Sequence, residues 1–199
     1  MRISGIKQHD NRDCGAACVA TIFRYYGINI PLVKVREKMN VDKNGSSLYA
    51  ISRCAEEFNF ITEVLEGTFS ELKTEIDNGS IKLPIIVHCL EGDFGHFIIL
   101  KKLIKNKIKV FDPAKGDCTI TIKEFKSKWT GYLVTIEKGS NFKKHNLKKG
   151  FYTKYWNVFV HSKKNLLFIL VFSLALSGIT ILASLSYQKI IDSFILGNE

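Results

Sequence analysis

The chain has 199 residues, 46% of them hydrophobic, and a formal net charge of +10; that length holds one full domain with an appendage. Lys143, Lys144, Lys148, Lys149, Lys154, Lys163 and Lys164 crowd just before a long apolar run. This distribution fits an anionic membrane surface and, with no nucleic-acid motif beside it, argues against a nucleic-acid partner.

The five cysteines, at 14, 18, 54, 89 and 118, are odd in number and scattered. They form no disulfide framework and no paired zinc ribbon. Cys14 and Cys18 have metal-ligand spacing on a helix, but no second ligand pair lies nearby, so no metal is expected. Met1-Arg2-Ile3-Ser4-Gly5 runs directly into polar residues and is no signal peptide. The expected setting is a reducing cytoplasm.

Predicted elements begin with a helix over Cys14 to Tyr26, stopped by Gly27. Pro31 to Met39 is a short second helix. Ser46-Ser47 caps a third, with Leu48, Ile51, Cys54, Ala55 and Phe58 on its apolar face. Phe69 to Asp77 is a fourth. The second half predicts strands at Pro84 to Leu90, His96 to Ile104, Lys107 to Phe111, Cys118 to Ile122 and Gly131 to Ile136, with a short helix at Glu124 to Trp129. Helices first and antiparallel strands second make an α+β domain.

Beyond it, Gly139 to Gly150 is a polar, basic linker, and 151–164 is an aromatic, mildly basic elbow suited to a membrane interface. Leu166 to Leu185 is an uncharged run of 20 residues, long enough to cross a bilayer. Lysines before it place the N-terminal domain in the cytoplasm by the positive-inside rule. The expected organisation is a domain over 1–138, a linker over 139–150, an elbow helix over 151–164, a transmembrane helix over 165–188 and an extracytoplasmic tail over 189–199.

Cys14 follows Gln8-His9-Asp10-Asn11-Arg12-Asp13, a loop of turn and cap formers. Unpaired N–H groups at a helix start favour a thiolate, and a thiolate is a nucleophile. It needs a base. His145 and His161 fall in the linker and elbow, His9 shares the nucleophile's loop, and His88 lies inside a buried run. His96 opens a strong strand after Gly95 and is the candidate. The Lys105-Asn106 turn folds the next strand back, so Asp112 comes close to His96. A carboxylate there accepts the Nδ1–H and orients the ring. The hairpin alone leaves a purely structural role open for both. Gln8, six residues before Cys14, could donate to an oxyanion alongside the Cys14 backbone N–H, though a loop glutamine by itself means little.

The run Gln8…Asp13-Cys14-Gly15-Ala16-Ala17-Cys18, the strand His96-Phe97-Ile98-Ile99-Leu100 and the end Phe111-Asp112-Pro113 resemble the double-glycine leader peptidases. These are papain-like cysteine peptidase domains at the N-terminus of bacteriocin- and pheromone-exporting ABC transporters. The resemblance covers residues 1 to about 138, and the apolar segment looks like the start of the transporter's membrane domain. It implies Cys14 as nucleophile, His96 as base and then acid, Asp112 as orienter and Gln8 in the oxyanion hole. It implies a leader-peptide precursor, the bacterial cell membrane and the rest of an ABC transporter, homodimeric when complete, as partners. The family continues with further spans and an ATPase. No Walker-type loop occurs here, so ATP is expected only for the transporter's ATPase and no cofactor for this chain. A fragment, a truncated gene and a split exporter are all open. Two other readings are a docking module that only binds leaders and another papain-like thiol acyl or amide transferase.

Overall fold

Ten consecutive residues, Cys14 to Phe23, are buried along the first helix. A helix apolar all round must be covered on every side, and the fold is arranged around that need. The structure is a computed structural model that describes residues 4–42, 45–92, 94–144 and 162–196. The chain divides into two units, Met1–Lys149 and Gly150–Glu199.

In the first unit, a 3-10 turn, Asn11–Asp13, leads into α1, Cys14–Tyr26. Gly27 ends α1 in the left-handed conformation, φ 95°, and its N–H donates to the last turn. Helices α2, Leu32–Met39, and α3, Leu48–Glu56, follow, the latter capped by the Ser47 hydroxyl accepting from Ala50 N–H. After β1, Phe60–Glu66, comes α4, Phe69–Asp77, opened by a Thr68–Glu71 capping box. Then come β2, Ile85–Glu91, β3, Phe94–Ile104, β4, Lys107–Asp112, β5, Gly116–Thr121, α5, Ile122–Lys128, and β6, Trp129–Lys138.

The six strands pair antiparallel in the order β1-β6-β2-β3-β4-β5. Both faces are covered. On one, α1 with α2 and α3 packs against Ile86, Phe97, Ile99, Phe111, Val134 and Ile136. On the other, Leu72 of α4 and Phe125 of α5 close over Ile85, Val87, Ile98, Leu100, Ile108, Val110 and Leu133. Double coverage explains why Phe97 to Leu100 is an unbroken apolar run rather than an alternating one.

The predicted α+β order holds, with one addition. The sequence pattern predicts no strand between the third and fourth helices, yet β1 forms the sheet edge there. Only Phe60 is buried along it, so the two-residue alternation that marks a half-buried strand is absent. The expected linker at 139–150 also begins inside the fold. Gly139 N–H donates to Asn59 O at 3.0 Å, and the Phe142 ring sits 4.9 Å from that of Phe60.

The N-terminal segment is fitted onto the sheet. A Cβ on Gly5 would stand 1.9 Å from the Phe111 ring, and Ile6 N–H donates to Thr21 Oγ1 of α1 at 2.8 Å.

In the second unit, α6, Lys163–Leu196, contains a stretch, Lys163–Ile191, long and apolar enough to cross a membrane. The helix continues through most of the expected tail at 189–199. Hydroxyls of Ser173, Ser177, Thr180 and Ser186 donate to carbonyls three or four residues back, so these hydroxyl donors are satisfied without water. Of the expected elbow, 151–161 lies outside the described residues.

Gly5→Val is expected to destabilise the first unit by ~1–3 kcal/mol, because Phe111 is buried and cannot yield. Urea unfolding of the full chain in detergent, followed by tryptophan fluorescence, measures it.

Candidate active site

Cys14 is the first residue of α1 and only 4% exposed. Asp13 before it does not cap the helix. Its carboxylate turns into the fold, fully buried, where Arg36 Nε of α2 stands 2.9 Å away. The first-turn N–H groups of α1 therefore receive no side-chain cap, and the Cys14 N–H has no partner within the helix. Gly15 leaves no room for a side chain. A Cβ there would lie 2.7 Å from Ser46 Cβ and 3.3 Å from Phe97, so the loop leading to α3 and strand β3 both close on this helix end.

His96 lies near the start of β3, across from Cys89 of β2. Ile99 pairs with Phe111, which puts Asp112 one step further along β4 toward His96. His96 Nε2 is 2.9 Å from Asp112 Oδ1, with both side chains about nine-tenths buried. Asp112 Oδ1 also accepts from Ala114 N–H at 2.8 Å. The Cys14 thiol lies close enough to the His96 side chain to favour its charged form. With Nε2 committed to Asp112, Nδ1 is the ring nitrogen left for the thiol. This corrects the expectation that Asp112 takes the Nδ1–H. Sequence shows that the two residues meet, but the ring's rotation is decided by where α1 docks.

Burial works against the His96 imidazolium, but the hydrogen bonds to Asp112 and Cys14 and their charges outweigh it and raise it to about 9. Burial likewise works against the Asp112 carboxylate, yet the bonds from His96 and Ala114 hold it below the usual range. Lys115 adds its charge from 3.8 Å and is itself ion-paired to Glu91.

Gln8 lies on the loop before the 3-10 turn. Its backbone N–H donates to Pro113 O at 3.0 Å, which ties this loop to the chain just after Asp112. Its side-chain oxygen is buried without a hydrogen-bond partner. All four predicted residues thus fall on segments joined near one end of the sheet.

The other histidines separate from them. His9 is exposed, and His145 and His161 lie outside the described residues. His88 is half-buried, with Nδ1 2.9 Å from Thr130 Oγ1. That hydroxyl spends its proton on His88 O, so Nδ1 carries the ring proton. Burial, aided by the His96 charge, holds His88 below its ordinary value. Among the remaining thiols, burial pushes Cys18 up strongly and Cys54 and Cys89 up to about 12. Cys118 is only partly buried.

Glu91, His96 and Asp112 each bring one ligand atom within 4.8 Å of the others. The Lys115 ammonium already serves the two carboxylates as their cation, and His96 Nε2 is used by Asp112. A cleft of about 320 Å³ backs onto His96 and Asp112, lined by Cys89, Ile98, Val110, Ile120 and Phe125. A shallower hollow of about 450 Å³ between Gly67–Ser70 and Trp129–Gly131 contains none of the four site residues.

A thiol at a helix start, facing an imidazole held by a carboxylate, is the arrangement of a thiol hydrolase. Residues 2–141 match the Peptidase C39 family. The chain belongs to the Peptidase C39 family. Among curated relatives, the lactococcin-G-processing and transport ATP-binding protein of Lactococcus lactis is 30% identical over 96% of this chain and 25% of its own length. A probable microcin-H47 secretion/processing ATP-binding protein of Escherichia coli is 33% identical over 71% of this chain and 19% of its own. The chain thus spans about a quarter of the length of such relatives, or less, and corresponds to their N-terminal part. Among solved structures, a double glycine motif protease from an AMS/PCAT transporter, in complex with the leader peptide, superposes with TM-score 0.63 at 28% identity. It covers 69% of this chain and 92% of that one. The peptidase domain of Streptococcus ComA gives the same TM-score at 25% identity, over 69% and 99%.

The raised His96 value has a consequence for stability. The folded state holds this proton more tightly than the unfolded one, so the contribution is complete below about pH 6.5 and is lost as pH rises through about 9. The stability difference between the wild type and Asp112→Asn is therefore expected to be larger at about pH 6 than at about pH 10. Urea unfolding at the two pH values measures it.

Proposed function

We propose that this C39 domain is an active cysteine endopeptidase that cleaves peptide precursors after a Gly-Gly pair, in step with export by an ABC transporter. The observation that carries the reading is His96 set between the Cys14 thiol and the Asp112 carboxylate. His96 Nδ1 holds the proton given up by the Cys14 thiol, and the thiolate attacks the carbonyl carbon of the second glycine. The oxyanion that forms accepts from the Cys14 backbone N–H and the Gln8 amide. The intermediate collapses to a thioester as the C–N bond breaks, and His96 gives its proton to the departing amine. Water, its proton taken by His96, then attacks the thioester through a second oxyanion and frees the leader's carboxylate and the thiol. Asp112 stays ionised throughout and holds the ring in register.

The substrate side of this reading rests on the family match and on the named relatives, whose descriptions speak of processing, transport and a leader peptide. The lysine cluster before α6 supports a domain on the cytoplasmic face. The remaining transporter parts, as a homodimer, are the proposed partners. The proposed reaction calls for no cofactor, since proton transfer and thiol addition need only the side chains of the site.

The full chain in detergent, incubated under reducing conditions with a peptide carrying an internal Gly-Gly, is expected to yield two fragments split after the second glycine. Cys14→Ala is expected to abolish the cut. Gln8→Ala is expected to lower kcat about 10²-fold with KM little changed. Mass spectrometry and initial rates measure this, and intact peptide with the wild type would overturn the reading.

A further inference from the structure

Two charged residues outside the four-residue constellation are tied to it. Glu91 ends β2, beside the hairpin that leads to His96, and Lys115 sits in the turn that follows Asp112. They form an ion pair across 24 positions of sequence. The same ammonium stands 3.8 Å from Asp112 Oδ2, on the carboxylate oxygen that His96 does not use. Glu91, His96 and Asp112 present ligand atoms within 4.8 Å of one another. A cation is thus suspended between a surface carboxylate and the buried one that orients the base.

We propose that Glu91 and Lys115 are positioning residues for the peptidase reaction: Glu91 competes with Asp112 for the Lys115 ammonium, and how far it draws that charge off the buried carboxylate sets how firmly Asp112 keeps the His96 proton, and so the alkaline limit of activity. The inference rests on the peptidase reading given above. It goes beyond it in assigning the tuning of the base to a pair that touches neither the thiol nor the scissile bond.

The signs follow from Coulomb's law. Lys115 neutralises part of the Asp112 charge and repels the imidazolium, so it favours loss of the His96 proton. Glu91 favours the imidazolium twice. Its own charge attracts it, and it draws Lys115 away from Asp112. Among the described residues, the other titratable groups around His96 include Cys14 of α1, Asp112 of β4, and His88 and Cys89 of β2, while Lys128 of α5 lines the cleft behind. Those groups stay the same when the pair is altered, so opposite substitutions must act in opposite directions. Lys115 and Glu91 are each about half exposed, which screens the effect and lets either be replaced without opening the core.

The test uses the full chain in detergent. The rate at which iodoacetamide alkylates Cys14, followed by mass spectrometry across the alkaline range, has an upper inflection where His96 loses its proton. Lys115→Met is expected to raise that inflection by about half a pH unit, Glu91→Gln to lower it by about as much, and Lys115→Arg to restore it. Inflections that do not move, or that move the same way in both variants, overturn the proposal. A strap that only held the turn would slow both variants without opposed shifts. If Lys115→Met does not fold, the downward shift required of Glu91→Gln decides alone. Cleavage of a Gly-Gly peptide is measured in parallel. Cleavage with unmoved inflections sinks the tuning role and leaves the peptidase, and opposed shifts without wild-type cleavage sink the peptidase and leave the tuning role.

Discussion

The contact between His96 Nε2 and Asp112 Oδ1, at 2.9 Å and mostly out of water, is the constraint on which the rest of the site depends. A carboxylate that deep is costly unless its lone pairs are used. Asp112 uses them on the imidazole, on the Ala114 N–H and, at longer range, on Lys115. The imidazole in turn tolerates burial as a cation because it lies between a carboxylate and a thiol able to become a thiolate. Each group makes the other's burial supportable, and that mutual dependence holds a proton at a defined ring nitrogen.

The scaffold brings these groups together from distant parts of the chain. Cys14 is placed by a helix whose first ten residues are buried, and His96 and Asp112 by adjacent strands of a sheet covered on both faces. The segment carrying Gln8 is held from two directions, by Gly5 on Phe111 and by Gln8 N–H on Pro113 O. Asp13, by facing Arg36 rather than capping α1, leaves the helix start uncapped where an oxyanion would form. Positions defined by packing in this way favour near-attack geometry more than loop-borne residues do.

Much of this was legible in the order of the residues because it depends on local rules. A turn at Lys105-Asn106 between two apolar runs requires a hairpin, and a hairpin requires Asp112 near His96. Gly27 after a helical apolar pattern requires a helix end. What could not be read depends on long-range packing. Strand β1 carries no alternation because it edges the sheet with one face partly open. Phe142 joins the aromatic cluster of Tyr26 and Phe60 from within a lysine-rich stretch that looks like linker. Which ring nitrogen of His96 faces Asp112, and that Lys115 reaches back to Glu91, are set only when separate elements meet. Asp13 shows the same limit. Its position suggests a cap, and only the docking of α2 gives it Arg36 instead.

The family match and the shared fold make the first unit a C39 domain, and the chemistry proposed for it reduces to the state of one imidazole. Nitrogen-15 NMR of histidine-labelled full chain in detergent observes it directly. The expected result is that both ring nitrogens of His96 are protonated at about pH 8, with loss of the proton near pH 9 and a clear fall on Asp112→Asn. A His96 that titrates near 6.5, as an unperturbed histidine does, and is indifferent to Asp112, contradicts it.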